Sequence, residues 1–159
     1  MTGSSELTIS VSYSQLAVFD HSLKRPFNEW SSRHVAQGFS WRPGSAAFRT
    51  IEESGQHLVT VRLNAHEGEP GPGAIRVIDV PFEAPPGGAI EIGSISDSAP
   101  LELPSGIYQL RFECYERANS PIPRIRILFD RNNNPHFEIV RTDRALNPGV
   151  PLLLTASPA

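Results

Sequence analysis

The stretch Leu103-Pro-Ser-Gly-Ile-Tyr-Gln-Leu-Arg-Phe-Glu-Cys114 decides how the 159-residue chain is interpreted. It begins with Pro104-Ser-Gly106, a turn sequence, because Pro fixes φ and Gly tolerates positive φ. Apolar and polar residues then alternate, which predicts a β-strand with one face in a core and the other in water. The apolar members are Tyr108, Leu110, Phe112 and Cys114, and the polar members are Gln109, Arg111 and Glu113.

Similar extended patterns recur along the chain between turns rich in Gly and Pro. They predict strands at residues 7–13, 15–19 (after a kink or bulge near Ser14), 39–41, 46–50, 57–63, 74–82, 89–95, 124–129 and 136–141, with a last one at 150–154. Residues 42–44 and Asp130–Pro135 are interpreted as hairpin turns. Short strands with irregular gaps favour an all-β fold, an antiparallel β-sandwich, formed as a single domain by residues 1–159. Tyr108, after Gly106 at the start of its strand, is a candidate tyrosine corner of such a sandwich.

One short helix is predicted near residues 29–37. Asn28 is the candidate N-cap, and Gly38 ends the helix. Trp30 and His34 stand four residues apart and would share a helix face. The helix is short, so the strands determine the fold class.

Composition narrows the class of protein. A net charge of -3 argues against broad nonspecific binding to nucleic acid, which needs a surplus of Lys and Arg. Cys114 is the only cysteine, so no disulfide can form within the chain. We find neither a secretory leader pattern nor an apolar run of about 18 residues, and we therefore expect a cytoplasmic protein that does not enter membranes.

No pattern points to catalysis, a cofactor or a metal. Asp130-Arg-Asn-Asn-Asn134 resembles the start of a calcium loop, but the sixth and twelfth positions hold Pro135 and Arg141 where an EF-hand needs Gly and Glu. Cys114 is on the core-facing phase of its strand, where a thiol behaves as a small hydrophobe. The five histidines show no metal-binding spacing; they are His21, His34, His57, His66 and His136.

The two tryptophans can be interpreted in two ways. Trp30 and Trp41 either anchor the helix to the sheet or, with Arg33 and Arg42, form a partner hot spot; we favour anchoring. Residues 124 and 126, both Arg, lie on the outer phase of their strand and are expected on a solvated face.

The order of several segments resembles the competence protein J family. The segments are residues 9–19, Trp30 with Gly38, Gly44–Phe48, Val61–Asn64, Val80–Phe82, the run Ile90, Ile92, Ser94 and Ile95, and Leu103–Leu110. The resemblance covers roughly residues 7–115 and leaves out the region from Arg117 onward. It implies a small non-enzymatic protein that binds and suppresses a DNA-entry nuclease, and it assigns no partner-binding residues.

Two other functions stay open from the sequence. The loop His66–Gly73 and the two tryptophans would suit a ligand-binding β-sandwich module for a sugar or another small molecule. An enzyme whose residues converge from distant strands is the third possibility. An exposed sheet edge would also allow a homodimer by strand addition.

Overall fold

In the computed structural model, residues 3–64 and 68–159 are described, and they form two packed β-sheets with one short helix. The six-stranded sheet has the order β1-β5-β10-β9-β6-β11, and the five-stranded sheet has the order β3-β4-β2-β7-β8. The elements are β1 Gly3–Val11, β2 Gln15–Asp20, α1 Ser32–Gln37, β3 Phe39–Arg42, β4 Ser45–Arg49, β5 Gly55–Leu63, β6 Ala74–Ala84, β7 Ala89–Ser94, β8 Asp97–Glu102, β9 Gly106–Tyr115, β10 Arg124–Arg131 and β11 Glu138–Arg141. The predicted all-β sandwich is confirmed. Its strand pairs are antiparallel except for β5 and β10, which run parallel.

The stretch that decided the fold forms β9, which lies between β6 and β10. Its apolar members point into the core, where Phe112 stacks on Phe48 of the opposite sheet with ring centroids 4.5 Å apart. The Tyr108 hydroxyl donates to the Pro104 carbonyl over 2.6 Å. This bond back to the preceding turn is a tyrosine corner, as predicted.

The polar members of β9 are not in water, and this part of the prediction is wrong. Gln109, Arg111 and Glu113 are all buried. The Arg111 guanidinium donates to both carboxylate oxygens of Asp79, over 2.8 and 3.0 Å. Arg111 also donates to the Gly68 carbonyl, so Gly68 lies over this face of the sheet. A period of two shows that a strand has two faces, but it does not show whether another segment covers the second face.

The kink expected near Ser14 is a tight two-residue turn. Ser12 and Gln15 form an isolated antiparallel β-bridge, and Tyr13 and Ser14 connect these two residues. The chain thereby passes from β1 in one sheet to β2 in the other. The shift of apolar register marks this change of sheet.

The predicted hairpin at residues 42–44 is confirmed, since β3 and β4 pair around it. The turn Asp130–Pro135 is not a hairpin turn, because β11 pairs with β6 and not with β10. β8 follows β7 in a hairpin that the sequence pattern did not predict; Pro100 is tolerated there because β8 is an edge strand. The predicted strand at 150–154 does not form.

The helix starts later than predicted. Ser31, and not Asn28, is the N-cap, and its hydroxyl accepts from the backbone N–H of His34. Gly38 ends the helix with φ at 87°, which favours glycine. Asn28 is buried and donates to the carbonyls of Ser40 and Ser45, so it ties the chain before the helix to the hairpin. Among the described residues, no helix is long and apolar enough to cross a membrane.

Candidate partner-binding surface

Two strand-connecting turns meet at one end of the sandwich. The Ser12 N–H at the start of the first turn donates to the Ser94 hydroxyl over 2.9 Å. That hydroxyl donates in turn to the Gln15 carbonyl over 2.8 Å. Each turn exposes a large apolar residue: Tyr13 is 77% exposed and Ile95 is 49% exposed.

The first of these turns holds a strained backbone. Tyr13 and Ser14 have φ values of 55° and 56°. Two-residue hairpin turns with positive φ at both positions prefer Asn and Gly, and an aromatic residue there is unfavourable. Strain of this kind is concentrated at functional sites, where the surrounding structure holds it in place. An exposed tyrosine held in such a turn is therefore a candidate contact residue.

A groove of about 570 Å³ begins at these turns and runs toward the helix. We call it the end groove. Its exposed lining is mostly apolar by area, although five polar side chains contribute to it. The groove is lined by Tyr13, Ser14, Gln15, Asn28, Glu29, Trp30, Val35, Arg49, Ile95 and Ala159.

The floor of the end groove is fixed by contacts within the protein. The Trp30 indole N–H donates to the Gln15 side-chain oxygen over 3.2 Å. The same indole packs edge-on against the His34 ring, with centroids 6.4 Å apart. The Arg49 guanidinium donates to the Val35 and Ala145 carbonyls, so its charge is held at the groove wall. Binding a partner here would need little ordering of side chains.

The two tryptophans do not line one face. Trp30 packs on the outer side of the five-stranded sheet, against the small apolar cluster that contains Phe19. Trp41 packs against the core between the sheets, edge-on to Phe137, and donates to the Pro81 carbonyl. Anchoring of the helix to the sheet, the favoured interpretation, therefore describes Trp30, which contacts His34 and the sheet and also borders the end groove, while Trp41 fixes β3 against the core.

The arginines near the tryptophans are engaged in the fold. Arg33 donates to the Pro151 carbonyl over 2.9 Å, and Arg42 donates to the Asn28 side-chain oxygen over 2.7 Å. On β10, Arg124 is exposed, as expected for a solvated face. Arg126 is partly buried and donates to Glu113 over 2.8 Å, so the expectation is wrong for this residue.

The candidates for chemistry are in unreactive settings. Cys114 is buried, and burial raises the pKa of its thiol to about 12, so the nucleophilic thiolate is suppressed. His66 lies outside the described residues. The other histidines have separate partners: His21 pairs with Glu91, His34 with the Thr155 carbonyl, His57 with the Gly55 carbonyl and His136 with Glu138.

One group of potential metal ligands is brought together by the fold. Ligand atoms of Asp79, His136 and Glu138 lie within 4.8 Å of one another. Both Asp79 oxygens already accept from Arg111, whose positive charge would repel a cation. The geometry thus favours an ion pair over a metal site.

In the turn Asp130–Pro135, which resembled the start of a calcium loop, the Asn132 side-chain oxygen accepts a hydrogen bond from the Asn134 N–H.

Comparison with known proteins gives the family. Residues 8–131 match the model of competence protein J, ComJ. The chain belongs to this family. Among solved structures it is similar to "ComJ, inhibitor of the DNA degrading activity of NucA, from Bacillus subtilis", with 24% identity, a TM-score of 0.73, and coverage of 83% of this chain and 99% of that chain. It is also similar to "Crocagin biosynthetic gene J", with 14% identity, a TM-score of 0.55, and coverage of 80% and 97%. Among curated proteins, none matches significantly.

The family match confirms the resemblance found from collinear strand segments, and the two structural likenesses show that this sandwich is shared. The match ends at residue 131, so β11 and the rest of the chain lie beyond it. In this ComJ-family member that final segment packs on the helix: the Gln37 side chain bonds both the N–H and the carbonyl of Leu153. Its last residue, Ala159, lies beside the end groove. The end groove therefore includes chain from outside the family match.

Proposed function

We propose that this protein binds a nuclease directly and suppresses its cleavage of DNA, without performing chemistry of its own. The observation that carries the proposal is membership of the ComJ family over residues 8–131. The solved Bacillus subtilis ComJ, which shares this fold, is an inhibitor of NucA. The unreactive setting of Cys114 is consistent with a binding role.

We further propose that the end groove is the contact surface. Tyr13 and Ile95 expose apolar area on neighbouring turns, and Trp30 presents an aromatic floor whose position is fixed. Aromatic residues at the centre of an interface supply a large part of its binding energy. The strained turn at Tyr13 keeps its ring in solvent, where a partner can cover it.

The proposal is tested with any NucA-type nuclease that the source genome encodes. We expect purified ComJ-family protein to abolish cleavage of a fluorescent DNA substrate at about one molar equivalent and to elute with the nuclease in size-exclusion chromatography. Full cleavage at a tenfold molar excess, with no complex eluting, would overturn the proposal. Bovine serum albumin at the same concentration controls for nonspecific loss of activity.

In this proposal the protein works in the cytoplasm and does not contact nucleic acid itself, in keeping with its net charge of -3. A homodimer would form by strand addition at an exposed sheet edge. Light scattering at increasing protein concentration tests this, and a constant monomer mass would rule it out.

A further inference from the structure

Charge is divided unequally along the chain. Residues 1–23 and 77–110 contain seven of the 17 acidic residues and none of the 14 Lys and Arg residues. Elsewhere Lys and Arg outnumber Asp and Glu. The small net charge of the whole protein therefore conceals two acidic segments without a single compensating Lys or Arg.

The fold brings these two segments together. They supply β1, β2, β7 and β8, most of β6 and the first half of β9; β2, β7 and β8 are neighbours in the five-stranded sheet. β1 lies against β8 at the edge of the sandwich, where the Ser10 N–H donates to the Asp97 carboxylate over 2.7 Å. Four carboxylates flank this edge, and we call them the acidic seam: Glu6, Glu91, Asp97 and Glu102.

The acidic seam is available for a partner. Glu6 and Glu102 are exposed, and within the described residues no Lys or Arg forms an ion pair with any seam carboxylate. Glu91 contacts His21, and a hydrogen bond from the Ser98 hydroxyl lowers the pKa of Glu91 and keeps it ionised at neutral pH. The situation differs on the six-stranded sheet, where Asp79 and Glu113 are neutralised by arginines.

The seam and the end groove are continuous. Ile95, at the mouth of the groove, is two residues from Asp97, the first residue of β8. Asp97 and Glu102 are five residues apart on β8, or about 17 Å at the rise of an extended strand. A typical protein interface covers about 800 Å² on each partner, a patch roughly 30 Å across. One partner can therefore cover both features.

We propose that the end groove and the acidic seam form one docking surface whose occupant is the basic DNA-binding surface of the nuclease, so that inhibitor and DNA compete for the enzyme. This inference rests on the proposed function and adds the surface of the partner and the mode of inhibition. A nuclease needs positive charge where it holds DNA phosphates. An edge with carboxylates on both sides complements such a surface, and the apolar groove beside it supplies anchoring contacts.

The test compares two charge-reversal variants in binding to the NucA-type nuclease. Glu6→Lys combined with Glu102→Lys alters the seam at two exposed positions. Glu116→Lys combined with Glu138→Lys makes the same charge change at exposed positions outside the seam. Long-range attraction acts mainly on the association rate. We expect the seam variant to associate about tenfold or more slowly than the wild type at low salt, and the control variant to change by less than about twofold.

Three further readouts complete the test. The association rate of the wild type should fall with rising salt, and the apparent inhibition constant should rise in proportion to DNA concentration. Circular dichroism verifies folding, and Glu6→Gln with Glu102→Gln gives a milder version of the same change. If the wild type inhibits but the two charge-reversal variants behave alike and inhibition is independent of DNA, the docking inference is overturned while the proposed function stands. If the wild type neither binds nor inhibits, both are overturned.

Discussion

The outer face of the six-stranded sheet and the end groove use their residues in opposite ways. On the sheet, polar side chains that the pattern placed in water are buried in ion pairs, such as Arg111 with Asp79. At the end groove, apolar side chains that could have been buried are exposed, with Tyr13 in a strained turn. The first arrangement pairs charged side chains with one another inside the fold. The second leaves contacts unmade, which is what a binding surface requires before its partner arrives.

The largest effect is expected on the stability of the protein, at the outer face of the six-stranded sheet. Arg111→Ala leaves the Asp79 carboxylate buried without its counter-charge and should lower the free energy of unfolding by about 3–5 kcal/mol. Urea denaturation measures this. Arg62→Ala, at an exposed position of β5, is the matched control and should change stability by less than about 0.5 kcal/mol. A similar small change for both variants would show that the outer face does not hold the sheet together.

At the end groove we expect a smaller effect, in which a substitution weakens binding but does not lower stability. Tyr13→Asn removes the exposed ring but suits positive φ, so affinity for the nuclease should fall by about 2 kcal/mol, roughly 30-fold, while stability is kept or improved. Ser14→Gly relieves the neighbouring strain without removing the ring and should keep full affinity. Isothermal titration calorimetry and thermal unfolding separate the two effects. Undiminished binding by Tyr13→Asn would remove Tyr13 from the interface.

The stability of the fold should depend on pH through His57, a buried residue of β5. Burial lowers the pKa of His57, whose Nδ1–H donates to the Gly55 carbonyl while Nε2 has no partner within the described residues. The unfolded chain therefore binds a proton more readily, so stability is complete above pH about 6.5 and is lost as pH falls below it. Urea unfolding between pH 7.5 and 5 should show this loss, and His57→Gln should reduce the slope. If the slope is unchanged in the variant, a group other than His57 causes the pH dependence.

The smallest effect concerns the thiol. Since burial raises the pKa of Cys114 to about 12, native protein should react negligibly with iodoacetamide at pH 8, whereas protein unfolded in urea should react fully. Intact mass spectrometry counts the added groups. Rapid labelling of the native protein would mean that this strand opens on the time scale of the reaction.

The sequence was informative wherever local chemistry decides the structure. Alternation in β9 predicted its buried face, and the turn before Tyr108 predicted the tyrosine corner, because each depends on residues close together in the chain. The sequence pattern gave wrong predictions where contacts between distant segments determine whether a side chain is buried. Burial of Gln109 depends on the Val80 and His136 carbonyls, to which its amide donates, and these lie 29 and 27 residues away.

The helix start and the candidate site show the same limit. Asn28 has the side chain of an N-cap, but the hairpin carbonyls of Ser40 and Ser45 take its hydrogen bonds, and Ser31 caps the helix instead. The sequence pattern placed Tyr13 at the end of the first predicted strand, residues 7–13. Only the passage of the chain from one sheet to the other at this point exposes its ring and places it beside Ile95.

The central claim is that this ComJ-family protein suppresses a nuclease through the end groove. Its most direct test measures DNA cleavage by a NucA-type nuclease, with wild type, Ser14→Gly and Tyr13→Asn each added in excess over the nuclease at about ten times the wild-type dissociation constant. We predict that the wild type and Ser14→Gly suppress most of the cleavage while Tyr13→Asn leaves most of it. Equal suppression by all three proteins would contradict the assigned surface, and full cleavage with all three would contradict the inhibitor function itself.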